Sequence, residues 1–209
     1  MNEETIRWHV ELIPPDALNI LDRITAASVL DEFYLAGRTG LALTSGHRRS
    51  RDFDFFSRDL FDENLLLQKI KSPLSVTSKA PHTLHLDIDG IKITFLGYSY
   101  PLLFPANEFN GVKVADVRDI ACMKIDAISS RGAKRDFIDL YIVAQKFGLP
   151  ELLKLFDQKY SETPFNRVHI LKSLTYFDDV EQEPIPEMLI KVTWDMAKEF
   201  FLSEVPRLL

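Results

Sequence analysis

Between Phe33 and Ser57 the chain reads FYLAGRTGLALTSGHRRSRDFDFFS, and that order of residue types leaves few folds open. FYLAG has the apolar, partly aromatic make-up of a short buried strand, stopped by Gly37. TGLALTS, from Thr39 to Ser45, is a small-residue helix that ends at Gly46. A basic turn follows, His47, Arg48, Arg49, Ser50 and Arg51, and then the strand RDFDFFS. Strand, glycine turn, short helix, second turn and acidic strand are thus packed into 25 residues.

On the acidic strand Asp52 and Asp54 lie two residues apart. Alternate residues of a strand share a face, at a backbone separation of about 6.6 Å, so the two carboxylates stand side by side while Phe53 can enter the core. Like charges this close repel. Hard oxygen ligands at such spacing suit a divalent cation such as Mg²⁺, which keeps waters and substrate phosphates as its other ligands. A solvated polar face on an edge strand would show the same spacing. Upstream, Gly37 and Thr39 open a helix whose first N–H groups are unpaired and able to bind phosphate, with the Thr39 hydroxyl as a further donor or simply a cap. His47, Arg48, Arg49 and Arg51 are candidates for phosphate contacts, for partners of Asp52 and Asp54, or for a solvated turn.

The rest of the chain falls into two parts. Pro14-Pro15-Asp16 opens a helix over ALNILDRITAASVLDE, and residues 61–70 form another. TLHLDIDGIKITFLGY alternates on both sides of Asp89-Gly90, a strong hairpin signal. YPLLFPANEFNGVKVAD reads as loop and short strand. From Val117 onward the pattern is helical, with helices expected over 117–130, 133–147, 150–160, 165–177 and 187–205, and Gly132, Gly148, Pro150, Pro164, Pro184 and Pro186 between them. The boundary therefore falls near Asp116, between a 1–116 α/β core and a 117–209 helical region.

Three residues of the helical part depart from simple amphipathicity. Lys124 shares a stripe with Val117, Ile120, Ala121, Ala127 and Ile128, so it either snorkels to water or serves a buried anion such as a triphosphate. Asp136 and Asp139 share a face with Leu140 and Val143. Acids are favourable in a first helical turn; the alternative roles are orientation of Lys124 or Arg135, or proton abstraction from an acceptor hydroxyl. Asp87 shares a strand face with Asp89 and is a candidate third metal ligand, whereas Asp89 belongs to the turn. His82 and His85 match no zinc-ligand spacing.

Composition narrows the function classes. With 209 residues, 46% hydrophobic and 27% charged, the chain can bury a sizeable core. A formal charge of -6 argues against a basic coat for broad nucleic-acid binding through the Arg48 to Arg58 cluster. Cys122, the single cysteine, leaves no intrachain disulfide or cysteine zinc cluster, and its place in a helix reads as a buried, inert thiol. No run approaches the roughly 20 apolar residues of a membrane span, and MNEETIRWHVELIPPD lacks the make-up of a secretory signal. The expectation is a cytoplasmic protein with no membrane partner.

Taken together, FYLAGRTGLALTSGHRRSRDFDFFS and KIDAISSRGAKRDFIDLY resemble the AbiEii/AbiGii-type nucleotidyltransferases, a branch of the DNA polymerase β-like superfamily. The first resembles the family's strand, glycine turn, helix and Asp-x-Asp strand; the second its later Lys followed by Arg-Asp-x-x-Asp. The resemblance implies an α+β fold: a small mixed β-sheet core flanked by helices, with a C-terminal helical region completing the nucleotide site. It implies Gly37 and Thr39 at the phosphate-binding turn and Asp52 and Asp54 as metal ligands. Lys124 becomes a nucleotide contact and Asp136 with Asp139 a supporting or basic pair. The implied reaction is Mg²⁺- or Mn²⁺-dependent transfer of a nucleoside monophosphate from an NTP to an acceptor hydroxyl, on tRNA or a protein. Two cations about 3.5–4 Å apart would stabilise attacking and leaving oxygens. The implied setting is a toxin of a toxin–antitoxin or phage-defence pair, with a cognate antitoxin.

Two residues depart from the family pattern. Arg38 follows Gly37 where a second small residue is usual; its guanidinium either obstructs the triphosphate or binds it bidentately. In IKITFL, Lys92 or Thr94 occupies the place of a third carboxylate, which Asp87 on the partner strand could supply. A fold-preserving, catalytically silent module acting through a protein partner is the alternative these departures raise.

Overall fold

The computed structural model describes residues 6–70 and 74–208; part of the polar N-terminal stretch lies outside them. The chain divides into two compact units, Met1–Asp116 and Val117–Leu209.

In the first unit α1 (Pro15–Ala26) precedes β1 (Tyr34–Ala36) and α2 (Gly37–Ser45). Then come β2 (Phe53–Ser57), α3 (Glu63–Lys69), β3 (Ser75–Ala80), β4 (Thr83–Ile88), β5 (Ile91–Gly97), β6 (Asn107–Phe109) and β7 (Val112–Val114). Among the described residues these strands make one seven-stranded sheet in the order β3-β4-β5-β2-β1-β7-β6. It is mixed: β2 and β5 run parallel, as do β1 and β7, while the other neighbours are antiparallel. The α+β expectation, a small mixed sheet with flanking helices and a helical C-terminal region, is met.

Alternation decides which way the sheet faces. Phe53 and Phe55 of β2, Leu84, Leu86 and Ile88 of β4, and Ile91, Ile93 and Phe95 of β5 are all buried. They join Ala17, Ile20, Leu21 and Ile24 of α1 and Leu66 of α3 in one apolar cluster. The α1 residues recur at helical spacing, so that helix covers this face of the sheet. Each buried Phe or Leu contributes about 1.5–3 kcal/mol, and a register slip of one residue would turn the whole set outward. On the other face stand Asp54, Thr94 and His85, one from each of three adjacent strands in register.

Two hairpins frame that face. Asp89 (φ +53) and Gly90 (φ +80) form the two-residue turn between β4 and β5 that the alternating segment predicts, with Ile88 opposite Ile91. Asn110 (φ +47) and Gly111 (φ +78) make a second such turn between β6 and β7. Here the reading of loop and short strand was incomplete, because these strands have only three residues each and show little alternation. The strand β3 was not anticipated; it is exposed along its length, so it carries no apolar pattern to read.

The second unit contains α4 (Val117–Ser130), α5 (Lys134–Phe147), α6 (Leu149–Lys159), α7 (Arg167–Ser173) and α8 (Trp194–Glu204). Helix α4 packs on α5, α6 and α7, and α5 packs on α6 and α8. Phe137 lies edge-on to Phe177, Trp194 and Phe201, with centroids 5.3, 5.8 and 5.9 Å away. The last helix begins later than 187 because the Thr193 hydroxyl caps it, accepting from Met196 N. Helix α7 is likewise shorter than expected, started by Asn166, whose side chain accepts from Val168 N and His169 N.

Helix packing also encloses an ion pair. Lys159 Nζ lies 2.7 Å from Asp119 Oδ1, and both side chains are fully buried. Nearby Cys122 is buried, and burial together with the Asp119 charge pushes its thiol pKa up to about 12. It is inert at neutral pH. Lys159→Met should remove the ammonium that faces the buried Asp119 carboxylate and lower unfolding free energy by about 3–5 kcal/mol in urea titrations. The joint replacement Asp119→Leu/Lys159→Met should recover much of that loss; if it is no more stable than the single variant, the pair is not the source of the penalty.

Candidate active site

The site is built where β1 ends. Gly37 takes φ +61, a left-handed conformation that side chains other than glycine's adopt under strain. Ala36 is the antiparallel partner of Asp54, so the Asp54 side chain comes up against the start of α2. A methyl group on Gly37 would lie 2.8 Å from Asp54 Oδ2. Glycine is therefore required twice, for the turn and for the close approach of backbone to carboxylate.

Asp52 immediately precedes β2 rather than lying within it. Its Oδ2 accepts from Arg38 Nη2 at 3.0 Å, and its Oδ1 lies 3.4 Å from Lys92 N on the neighbouring strand. Thr39 is buried; its hydroxyl donates to the Asp52 carbonyl and lies 2.7 Å from Ser50 Oγ. That hydroxyl ties the first turn of α2 to the acidic segment instead of facing a ligand. Gly37, Arg38, Thr39, Asp52 and Asp54 are thus brought together at the α2 N-terminus, where β1 ends and β2 begins.

The remaining candidates of this unit are placed otherwise. His47 and Arg48 are buried, so they are not part of a solvated turn, and Arg48 Nη1 donates to Arg49 O at 3.4 Å. Arg51 pairs with Asp16 at 3.2 Å. Asp87 Oδ1 accepts from Gly90 N at 2.9 Å, which closes the hairpin turn. Among the described residues no three His, Cys, Asp or Glu side chains gather as a metal cluster, so Asp87 is not drawn in beside Asp52 and Asp54.

The position next to Asp54 on β5 belongs to Thr94, whose Oγ1 lies 3.2 Å from His85 Nδ1 on β4. Zinc-ligand spacing gives His85 no role. Counting the hairpin register outward from Asp89-Gly90 would have found it opposite Thr94.

The donor set fits a hard cation. Asp52 and Asp54 offer carboxylate oxygens on one face, Asp54 has no hydrogen-bond or ion-pair partner among the described residues, and Mg²⁺ or Mn²⁺ binds through one or two carboxylates with phosphates and water completing its shell.

In the helical unit Lys124 neither snorkels nor presents a free ammonium. Its Nζ lies 2.7 Å from both Asp136 Oδ1 and Asp139 Oδ2, with all three side chains buried. Burial alone would lower its pKa, but the charges of Asp139 and Asp136 outweigh it, and the ammonium is held above its ordinary range. The buried anion foreseen for Lys124 is thus supplied by α5 itself. Asp136 Oδ2 is buried with no hydrogen-bond partner among the described residues, so the group retains acceptor capacity.

With this geometry in place, comparison with known proteins gives a family. Residues 78–207 match the model described as nucleotidyl transferase AbiEii toxin, type IV toxin–antitoxin system. The chain belongs to the AbiEii nucleotidyl transferase toxin family. It is accordingly a nucleotidyltransferase. The matched stretch carries Lys124, Asp136 and Asp139, whereas Gly37 to Asp54 of this AbiEii protein precede it. The uncharacterized protein aq_aa25 of Aquifex aeolicus is 39% identical over 194 residues, covering 88% of this chain and 92% of that protein.

Solved structures support the fold of the AbiEii chain. JHP933 from Helicobacter pylori superposes with a TM-score of 0.53 at 16% identity, covering 93% of this chain and 92% of its own. MenT4, a nucleotidyltransferase toxin of Mycobacterium tuberculosis, gives 0.53 at 14% identity, covering 92% and 86%. Among the described residues no helix is long and apolar enough to cross a membrane.

Two outcomes follow from the geometry of the AbiEii protein. Gly37→Ala should lower stability by about 1–3 kcal/mol through left-handed strain and the clash with Asp54, read as a fall in Tm; an unchanged Tm would contradict this placement of the carboxylate. Lys124→Met should cost about 3–5 kcal/mol. Because the folded-state lysine pKa is raised, its stabilisation is complete below the unfolded value and fades only as pH rises through the folded one. The gap between Lys124→Met and wild type in urea melts should therefore stay constant from about pH 7 to 9 and close only in stronger alkali.

Proposed function

We propose that the protein transfers a nucleoside monophosphate from an NTP to an acceptor hydroxyl, using Mg²⁺ or Mn²⁺ held by Asp52 and Asp54. The observation that carries this reading is the Asp54 carboxylate lying against Gly37 at the start of α2, with Asp52 beside it. That arrangement supports a cation held by these carboxylates next to backbone N–H groups suited to a triphosphate. When bound, the cation supplies Lewis-acid stabilisation of charge on the reacting phosphate.

The chain's own residues do the rest. Gly37 lets the phosphates approach the backbone, Arg38 offers them a guanidinium, and Thr39 holds the Asp52 backbone in place through its hydroxyl. The acceptor oxygen forms a bond to the α-phosphorus, the bond to the bridging oxygen of the β-phosphate breaks, and pyrophosphate leaves. The acceptor's proton passes to a general base; within the helical unit the family resemblance points to Asp136 and Asp139 as the acidic pair, with Lys124 between them. Arg48, being buried, shapes the turn from within. The reading extends to an acceptor hydroxyl on tRNA or a protein, in the cytoplasm, and the toxin–antitoxin description of the family supports a cognate antitoxin as partner.

A second reading, a catalytically silent partner-binding module, is favoured by one observation: Thr94 and Lys92 face the carboxylates where a third acid would stand. Labelled-nucleotide transfer to any acceptor would reject it. Calorimetric titration with a non-hydrolysable NTP should show saturable binding that requires Mg²⁺ and vanishes in Asp52→Asn/Asp54→Asn. Undiminished Mg²⁺-dependent binding by the double variant would remove the metal assignment.

A further inference from the structure

The two carboxylates of the site are not equivalent. Asp54 has no ion-pair partner among the described residues, whereas Asp52 is bound by Arg38 at 3.0 Å. Arg38 follows the glycine of the turn directly and lies in the first turn of α2, and from there its guanidinium reaches the acidic residue that precedes β2. The side chains of Arg38 and Asp52 are 31% and 19% exposed. The pair is thus solvated enough to be opened at small cost, unlike the buried Lys124 and Lys159 pairs.

We propose that Arg38 is an exchangeable counter-ion: it neutralises Asp52 while the cation site is empty and passes to the triphosphate when the divalent ion takes Asp52. This rests on the nucleotide-site reading above and adds a coupling to it. Without Arg38, two carboxylates would share one face with their repulsion uncompensated. A divalent ion binding both repels the guanidinium and competes for the same oxygen. Guanidinium pairs with phosphate oxygens as readily as with carboxylate, and bidentately, and the α2 N-terminus draws phosphate to the place where Arg38 is anchored.

The exchange has a thermodynamic signature. The ion alone must displace Arg38 and binds weakly, whereas nucleotide accepts the displaced guanidinium, so each ligand raises the affinity for the other by the same factor. Removing Arg38 should move the two affinities in opposite directions. An arginine that merely braces α2 against β2 would, when removed, weaken both.

The test is Mn²⁺ titration followed by electron paramagnetic resonance, with and without a non-hydrolysable NTP, on wild type, Arg38→Ala and Arg38→Lys. For Arg38→Ala, Mn²⁺ alone should bind about three- to tenfold tighter than to wild type. Nucleotide in the presence of Mn²⁺ should bind about tenfold weaker. Arg38→Lys should keep the weak Mn²⁺ binding of wild type yet recover only part of the nucleotide affinity, since an ammonium lacks the fork geometry. Equal or weaker Mn²⁺ binding by Arg38→Ala overturns the exchange and leaves the nucleotide site standing. Failure of wild type and Arg38→Ala alike to bind Mn²⁺, with or without nucleotide, overturns both.

Discussion

The alternation of β2 is the constraint on which the candidate site depends. Phe53 and Phe55 are fully buried, and burying two aromatic rings fixes the strand's orientation far more firmly than any preference of its acids. With those rings inward, Asp54 has only the opposite face open to it. Antiparallel pairing with β1 then sets Asp54 opposite Ala36, one residue short of the glycine turn. The carboxylate reaches the start of α2 because the hydrophobic face of the sheet leaves it nowhere else to go. Thr39 reinforces this from the helix side by gripping the Asp52 carbonyl.

The helical unit uses charge in a different way. Lys124 and Lys159 are both buried and both meet carboxylates at 2.7 Å. Such pairs offer little net gain over apolar replacements, but they penalise any packing that separates the partners, and so they lock the register of α4 against α5 and α6. In the Lys124 group one ammonium meets two acids, and Asp136 Oδ2 is left without a hydrogen-bond partner among the described residues.

What the amino-acid pattern disclosed, and what it concealed, follows from the range of the interactions. The Asp89-Gly90 hairpin and the Gly37 turn are local, set by residues with few conformational choices, and they stand where the pattern places them. Helix α4, expected over 117–130, spans Val117–Ser130. Lys124 stood out because an ammonium interrupts an apolar stripe, although its partners, twelve and fifteen residues on, needed the fold to be recognised. Lys159 and Asp119 are forty residues apart, and no periodicity links them. Arg48 reads equally as a phosphate contact, a partner of Asp52 and Asp54, or a solvated turn residue, yet it is buried; charge runs do not reveal which member turns inward. The hydroxyl of Thr39 was legible as a helix-start group but not in its direction, because the Asp52 carbonyl that captures it lies across a turn.

The place of β1 in the sheet has a consequence for the order in which the molecule is made. β1 is flanked by β2 on one side and by β7 on the other, where Leu35 meets Val114. The strand leading into the glycine turn therefore keeps one unpaired edge until a partner nearly eighty residues downstream has emerged from the ribosome. β2 waits in the same way for β5, synthesised some forty residues later. Non-local pairing of this kind forms slowly, so a nascent chain carries its acidic pair long before it has the sheet to aim it. The turn, the carboxylates and the helix end acquire their shared geometry only when the first unit is nearly complete.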